Sequence, residues 1–127
     1  MQSIVLVFLG AGAGGVVRHV VNLLAARWWG TDFPLGTLLI NVTGSMLMGL
    51  LAGWLAFKAS ANWSQPLRLF VATGVLGGYT TFSTFSLETV LLIERNQIAA
   101  AAGYVVFSLL FGFLGLWAAL MLMRSLG

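Results

Sequence analysis

Four long apolar runs, separated by three short polar clusters, set the layout of the chain. The first runs from about Ser3 to Trp29: it opens with Ile4 to Leu9, passes Gly10, Gly12, Gly14 and Gly15, continues beyond Arg18 and His19, and closes on Trp28 and Trp29. At ~1.5 Å per residue such a helix covers a ~30 Å hydrocarbon core even when tilted, and paired tryptophans suit its interfacial belt. The runs over about 34–57, 67–93 and 98–123 meet the same length test. Thr31-Asp32-Phe33-Pro34 reads as a turn in which Thr31 or Asp32 caps the second helix and Pro34 occupies its first turn. Lys58 to Pro66 is the longest polar loop, with Ser64 a candidate N-cap, and Glu94-Arg95-Asn96-Gln97 is a tight turn. The pattern predicts an all-α integral membrane protein: one transmembrane domain over 1–127, four spans, and both chain ends on one side.

Within the runs, small and polar residues carry the next layer of information. Gly10-x-Gly12-x-x-Gly15 matches a dinucleotide fingerprint, with Asp32 near the spacing of a ribose-binding acid, but no alternation of strands and amphipathic helices follows it. Gly10 and Gly14, four apart, instead line one helix face for close packing, and Gly49 and Gly53 repeat the spacing. Arg18 lies deep in the first span, where it either snorkels or faces an aqueous vestibule that attracts anions. His19 reads as a neutral, hydrogen-bonded residue. Thr37 and Asn41 share a face of the second span and serve either as glue between helices or as the lining of a polar path.

Composition agrees with the pattern: 60% of residues are hydrophobic, 7% are charged, and the mean hydropathy is +1.01. With no cysteine and one histidine, thiolate chemistry and multi-histidine metal sites are not expected. The net charge of +3 reflects scarce acids rather than a basic stripe, so no nucleic-acid partner is expected. The start of the chain lacks the basic region of a signal peptide. Lys58, Arg68 and Arg124 fall on the side of the chain ends and Arg27 and Arg95 on the other, with Arg18 inside. So slight a bias gives the positive-inside rule little to act on, and a chain inserting both ways could pair with itself antiparallel.

The stretch Gly74 to Glu88 concentrates glycines, hydroxyls, two phenylalanines and a carboxylate. Placed on a helix at 100° steps, the polar groups of 80–88 point in every direction and leave no lipid-facing arc, which calls for burial at the centre of an oligomer. Gly74, Gly77 and Gly78 weaken the helix ahead of it, so a break is expected over Gly74 to Thr80, with freed carbonyls needing a donor or a cation. Thr81, Ser83, Thr84 and Ser86 offer hydroxyl donors, and Phe82 and Phe85 can present positive ring edges. Each feature also has an ordinary reading as packing or as bonding back to its own helix. The residues alone reach a polar pathway in an oligomeric membrane protein without choosing the ion.

Gly77-Gly-Tyr-Thr-Thr-Phe-Ser-Thr-Phe-Ser86, with Pro34-Leu-Gly-Thr-Leu-Leu-Ile-Asn41 upstream, closely resembles the Fluc (CrcB) family of bacterial fluoride channels, over the whole chain in length and layout. The resemblance implies an antiparallel, dual-topology homodimer in the bacterial plasma (inner) membrane, with two fluoride pores, a broken third helix and a structural sodium ion at the dimer centre. It implies Gly77 and Thr80 as the carbonyl ligands of sodium, and Phe82 and Phe85 as the pore phenylalanines. Asn41 would be an amide donor, Ser83, Thr84 and Ser86 a polar track, Tyr104 the pore tyrosine, and Glu88 a carboxylate at one pore end. Arg18 and Thr37 would belong to the vestibule. His19 and Tyr79 depart from the apolar or differently aromatic residues expected at their positions. Fluoride exported passively down its gradient needs no enzyme. The alternatives are a small four-span multidrug exporter, which would need a carboxylate in its first helix where Arg18 and His19 stand, and a non-transporting membrane assembly subunit.

Overall fold

The computed structural model of the chain describes residues 1–57 and 64–126. Its first apolar run is one helix, α1 (Gln2–Trp29), which stops where Gly30 turns to φ 77°, a geometry that glycine adopts without a Cβ penalty. The second run forms α2 (Leu35–Phe57). Pro34 stands just ahead of α2 rather than in its first turn: its carbonyl accepts the Leu38 N–H at 3.2 Å, so Thr31 and Asp32 are one turn too early to cap. Lys58 and the rest of the loop to Trp63 lie outside the described residues. Ser64, expected as a cap, is the first residue of α3 (Ser64–Leu67).

The third run is divided. After α3 come a π-helical stretch, Arg68–Leu76, and one further turn, α4 (Gly77–Tyr79); Thr80 (ψ 158°) and Thr81 (φ −153°, ψ 117°) are then extended, and α5 (Phe82–Glu94) completes the pass. The break therefore falls at Thr80–Thr81 and not over the glycines, which are helical; Gly77 itself has φ −63° and ψ −39°. Close packing explains those glycines. A Cβ on Gly74 would press on the backbone of Gly10, one on Gly78 on the backbone of Ala11, and one on Gly14 on Val75. The glycine rows of α1 and the third pass thus mesh backbone to backbone. Asn96 ends α5 at φ 60°, with Gln97 N–H on the Leu92 carbonyl (2.9 Å) and Asn96 N–H on that of Ile93 (3.0 Å), and α6 (Ile98–Leu126) follows.

Every regular element among the described residues is helical. Along α1, Gly10 meets Phe70 and Gly74, Gly14 meets Val75 and Tyr79, and Arg18 meets Thr80, while Asn22 shares a cavity with Glu88 and Arg95. The third pass therefore climbs parallel to α1. Gly44 faces Thr80, Gly49 faces Leu116 and Gly53 faces Met123, so α2 descends beside the break with α6 running parallel to it. The passes alternate in direction, bringing Met1 and Leu126 to one end. Three helices, α1, α2 and α6, are each long and apolar enough to cross a membrane, and the broken pass lies among them. Most large apolar side chains face outward, as lipid contact demands, and the tightest core is Leu92, Ala101 and Tyr104 with Phe33, Leu38 and Phe85 against them.

Candidate ion pathway at the broken helix

The break is built from main-chain donors diverted out of the helix. In a continuous helix Thr81 N–H would serve the Gly77 carbonyl and Thr84 N–H that of Thr80. Here Thr81 N–H donates to Asn41 Oδ1 (2.8 Å), while Asn41 Nδ2 donates to the Thr81 carbonyl (3.0 Å). Thr84 N–H donates to Thr81 Oγ1 (3.2 Å), which caps α5. The Thr81 hydroxyl donates in turn to Thr84 Oγ1 (3.2 Å), and Ser83 Oγ lies 3.3 Å from it. Thr80 closes the helix before the break, both its N–H and its hydroxyl reaching the Leu76 carbonyl at 3.0 Å. Half-buried Arg18 brings Nη1 to 3.5 Å from the Thr80 carbonyl, so the deep arginine sits at the break rather than among the residues of the cavity mouth described below.

Beside the break, a groove of about 290 Å³ is lined by Asn41, Thr81, Phe82, Phe85 and Ser108 among others. Phe82 and Phe85 stand 5.9 Å apart between ring centroids, tilted by 48°, and Phe82 is 77% exposed on the single chain. Phe85 packs 5.1 Å from Tyr104, which is fully buried and also takes the edge of Phe33. The Tyr104 hydroxyl donates to Glu88 Oε1 (3.0 Å). Glu88 in turn lines a second cavity, about 480 Å³, at the end of the molecule that carries the α1–α2 loop, together with Asn22, Thr31, Thr37 and Arg95. Phe85, Tyr104 and Glu88 thus connect the groove to this mouth.

Each of these two cavities holds a buried hydroxyl without a hydrogen-bond partner among the described residues: Ser108 in the groove and Thr37 at the mouth. Thr37 stands beside the Tyr104 phenol, whose proton goes to Glu88. Asn41 gives one amide hydrogen to Thr81, has a second to offer, and is itself among the residues lining the groove.

Of the other expected site residues, Ser83, Thr84 and Ser86 line neither cavity, and the Ser86 proton goes to the Phe82 carbonyl (3.0 Å). Gly77 is exposed, beside Thr80. The exposed His19 side chain makes no hydrogen bond among the described residues. Tyr79 pairs with Thr43 at 2.9 Å; the Thr43 proton serves the Leu39 carbonyl at 2.6 Å, so Tyr79 is the donor. Ser108 lines the groove without having been expected there, although its place four residues after Tyr104, on the same face, was the available signal.

Comparison with known proteins adds independent findings. The family described as CrcB-like protein, Camphor Resistance (CrcB), matches residues 5–120. The chain is 59% identical over 125 residues to the fluoride-specific ion channel FluC 2 of Nitrobacter hamburgensis, covering 98% of this chain and 99% of that protein. It is 53% identical to the fluoride-specific ion channel FluC of Methylobacterium nodulans over 127 residues, the full length of both. Against the FluC of Granulibacter bethesdensis the identity is 52% over 126 residues, covering 99% of this chain and 98% of that protein.

Proposed function

The chain belongs to the CrcB-like family, and on that footing we infer that it is a fluoride-specific ion channel of the bacterial inner membrane, a multi-pass passive conductor and not an enzyme. The observation that carries the path through the protein is the pair of partnerless buried hydroxyls, Ser108 in the groove and Thr37 at the mouth. Leaving such a group unsatisfied costs about 1–3 kcal/mol, a cost that a passing anion or its water would offset. Fluoride enters the groove past the ring edges of Phe82 and Phe85, takes donors from Asn41 and Ser108, and reaches the mouth by way of Tyr104, Glu88 and Thr37. Arg95 supplies positive charge at that mouth, and Arg18 supplies it at the break. Ser83, Thr84 and Ser86 join the path by rotating off their present partners. Fluoride is small and strongly hydrated, so closely set donors can replace its water, whereas larger halides would lose water without fitting. An inside-negative potential drives the anion outward by ~2.3 kcal/mol per 100 mV.

The functional unit on this reading is an antiparallel homodimer with two pores. Support comes from polar groups left open around the break on the single chain, among them the hydroxyls of Thr43 and Ser83 and the backbone of exposed Gly77, which lipid would not solvate. The sodium site implied by the family resemblance would use the Gly77 and Thr80 carbonyls. Each carbonyl lacks its ordinary helical donor, which suits a cation, while the Arg18 guanidinium, 3.5 Å from the Thr80 carbonyl, would have to move aside for one. Bound there, sodium would supply fixed positive charge at the dimer centre.

Reconstitution of the purified protein in liposomes, with fluoride and chloride efflux followed by ion-selective electrodes, tests the function. Fast fluoride efflux with chloride retained is expected. Equal passage of both ions would remove the selectivity, and passage of neither would favour a non-transporting subunit.

A further inference from the structure

We propose that Asn41 is a positioning residue that keeps the third pass broken: by taking both main-chain groups of Thr81 it leaves the Gly77 carbonyl without its helical donor. The use of that carbonyl by a cation rests on the sodium reading above, whereas the clamp itself does not. The local sequence does not dictate a break at this point. Gly74, Gly77 and Gly78, the residues with the least helix preference, are helical, and the chain opens only at Thr80 and Thr81, with no proline nearby.

The geometry of an extended residue supplies the reason. Its N–H and C=O project to the same side, as in the paired residues of a sheet, whereas in a helix they point in opposite directions along the axis. A carboxamide carries a donor and an acceptor side by side, so it can hold both groups of one residue only while that residue is extended. Asn41 does this at 2.8 and 3.0 Å, with Thr81 at φ −153° and ψ 117°. Were Thr81 to turn helical, its N–H would swing back onto Gly77 and both Asn41 bonds would be lost. Two neighbours on α2 hold the clamp in register: Gly44, whose Cβ would strike the Thr80 methyl, and Thr43, which accepts from the Tyr79 hydroxyl at 2.9 Å. Asn41 also lines the groove, so one side chain sets the break and borders the path.

The test uses the full-length protein in detergent, with Asn41→Asp and Asn41→Leu. A carboxyl at 41 keeps an acceptor for Thr81 N–H, and a leucine keeps neither group. Two measurements are made: the Cα chemical shift of Thr81, which distinguishes extended from helical backbone, and the thermal midpoint in sodium against N-methylglucamine, a cation too large for a carbonyl site. Thr81 should be extended in the native protein and in Asn41→Asp, and helical in Asn41→Leu. The sodium concentration for half-maximal stabilisation should rise roughly tenfold in Asn41→Leu, the factor expected when one hydrogen bond's worth of positioning is lost. Should the leucine variant not fold, Asn41→Ser, too short to reach both groups, takes its place with the same expected outcomes. An extended Thr81 in the leucine or serine variant would overturn the clamp. A native protein indifferent to sodium would overturn the sodium reading alone, because the Thr81 shift still decides the clamp, and failure of fluoride flux bears on neither measurement.

Discussion

Ser108 is informative because its hydroxyl is buried in the groove with no partner among the described residues. An ordinary packing residue there would be alanine, and Ser108→Ala removes an unsatisfied group. It should leave thermal stability unchanged or raise it by up to ~1 kcal/mol. If the hydroxyl meets the anion, the same change should slow fluoride efflux about tenfold, the equivalent of one lost hydrogen bond. Unaltered efflux would take Ser108 out of the path. The two phenylalanines separate on the same logic. Phe82 is 77% exposed on the single chain, whereas Phe85 packs 5.1 Å from the buried Tyr104. Phe82→Ile and Phe85→Ile should each impair fluoride efflux without changing the oligomeric state seen on size exclusion, with only Phe85→Ile lowering stability, by about 1 kcal/mol. Normal flux in both variants would remove the rings from the mechanism.

At the scale of elements, the glycines of α1 offer an internally controlled comparison. A Cβ on Gly14 would collide with the Val75 carbonyl, whereas one on Gly12 meets nothing within 4 Å. Gly14→Ala should force α1 and the third pass apart and lower the unfolding midpoint by the equivalent of about 1–3 kcal/mol. Gly12→Ala should be neutral or stabilising, by up to ~1 kcal/mol from helix propensity. Equal effects from both would mean that the helices do not approach through this face. The same contrast marks what was legible in the chain. The missing alternation of strands and helices set aside the nucleotide fingerprint, the four-residue spacing of Gly10 and Gly14 gave their packing role, and run length placed the passes within a few residues of α1, α2 and α6. The site of the break was not legible, because low helix preference at Gly74 to Gly78 is a local tendency that contact with α1 overrides. What opens the chain is Asn41, 40 residues away, and that pairing depends on a helix register that periodicity does not encode. That Phe82, Phe85 and Asn41 belong with the polar stretch was legible in the motif, and the three line one groove. The present bonding of Ser86 to its own helix was not legible, since a hydroxyl in a sequence gives no sign of which acceptor holds its proton.

For the whole molecule, the decisive quantity is the distribution of positive charge between its two ends. Arg68 and Arg124 lie at the end that carries Met1, Arg27 and Arg95 at the end that carries the α1–α2 loop, and Lys58 adds one charge in a segment outside the described residues. Topology follows the lysine and arginine bias of short loops, and a difference this small leaves insertion undecided. The native chain should therefore place its ends on both sides of the membrane in comparable amounts, read by labelling single cysteines introduced in either loop. Two lysines added to Lys58-Ala59-Ser60 should fix those ends in the cytoplasm, and two added to the Glu94 to Gln97 turn should fix them outside. Because an antiparallel pair needs one chain of each kind, either variant alone should lose fluoride efflux in cells, and co-expression of the two should restore it. A native chain found in a single orientation, or a biased variant that conducts fully by itself, would exclude antiparallel pairing and require the open groups around Phe82 and Gly77 to be covered by a parallel partner.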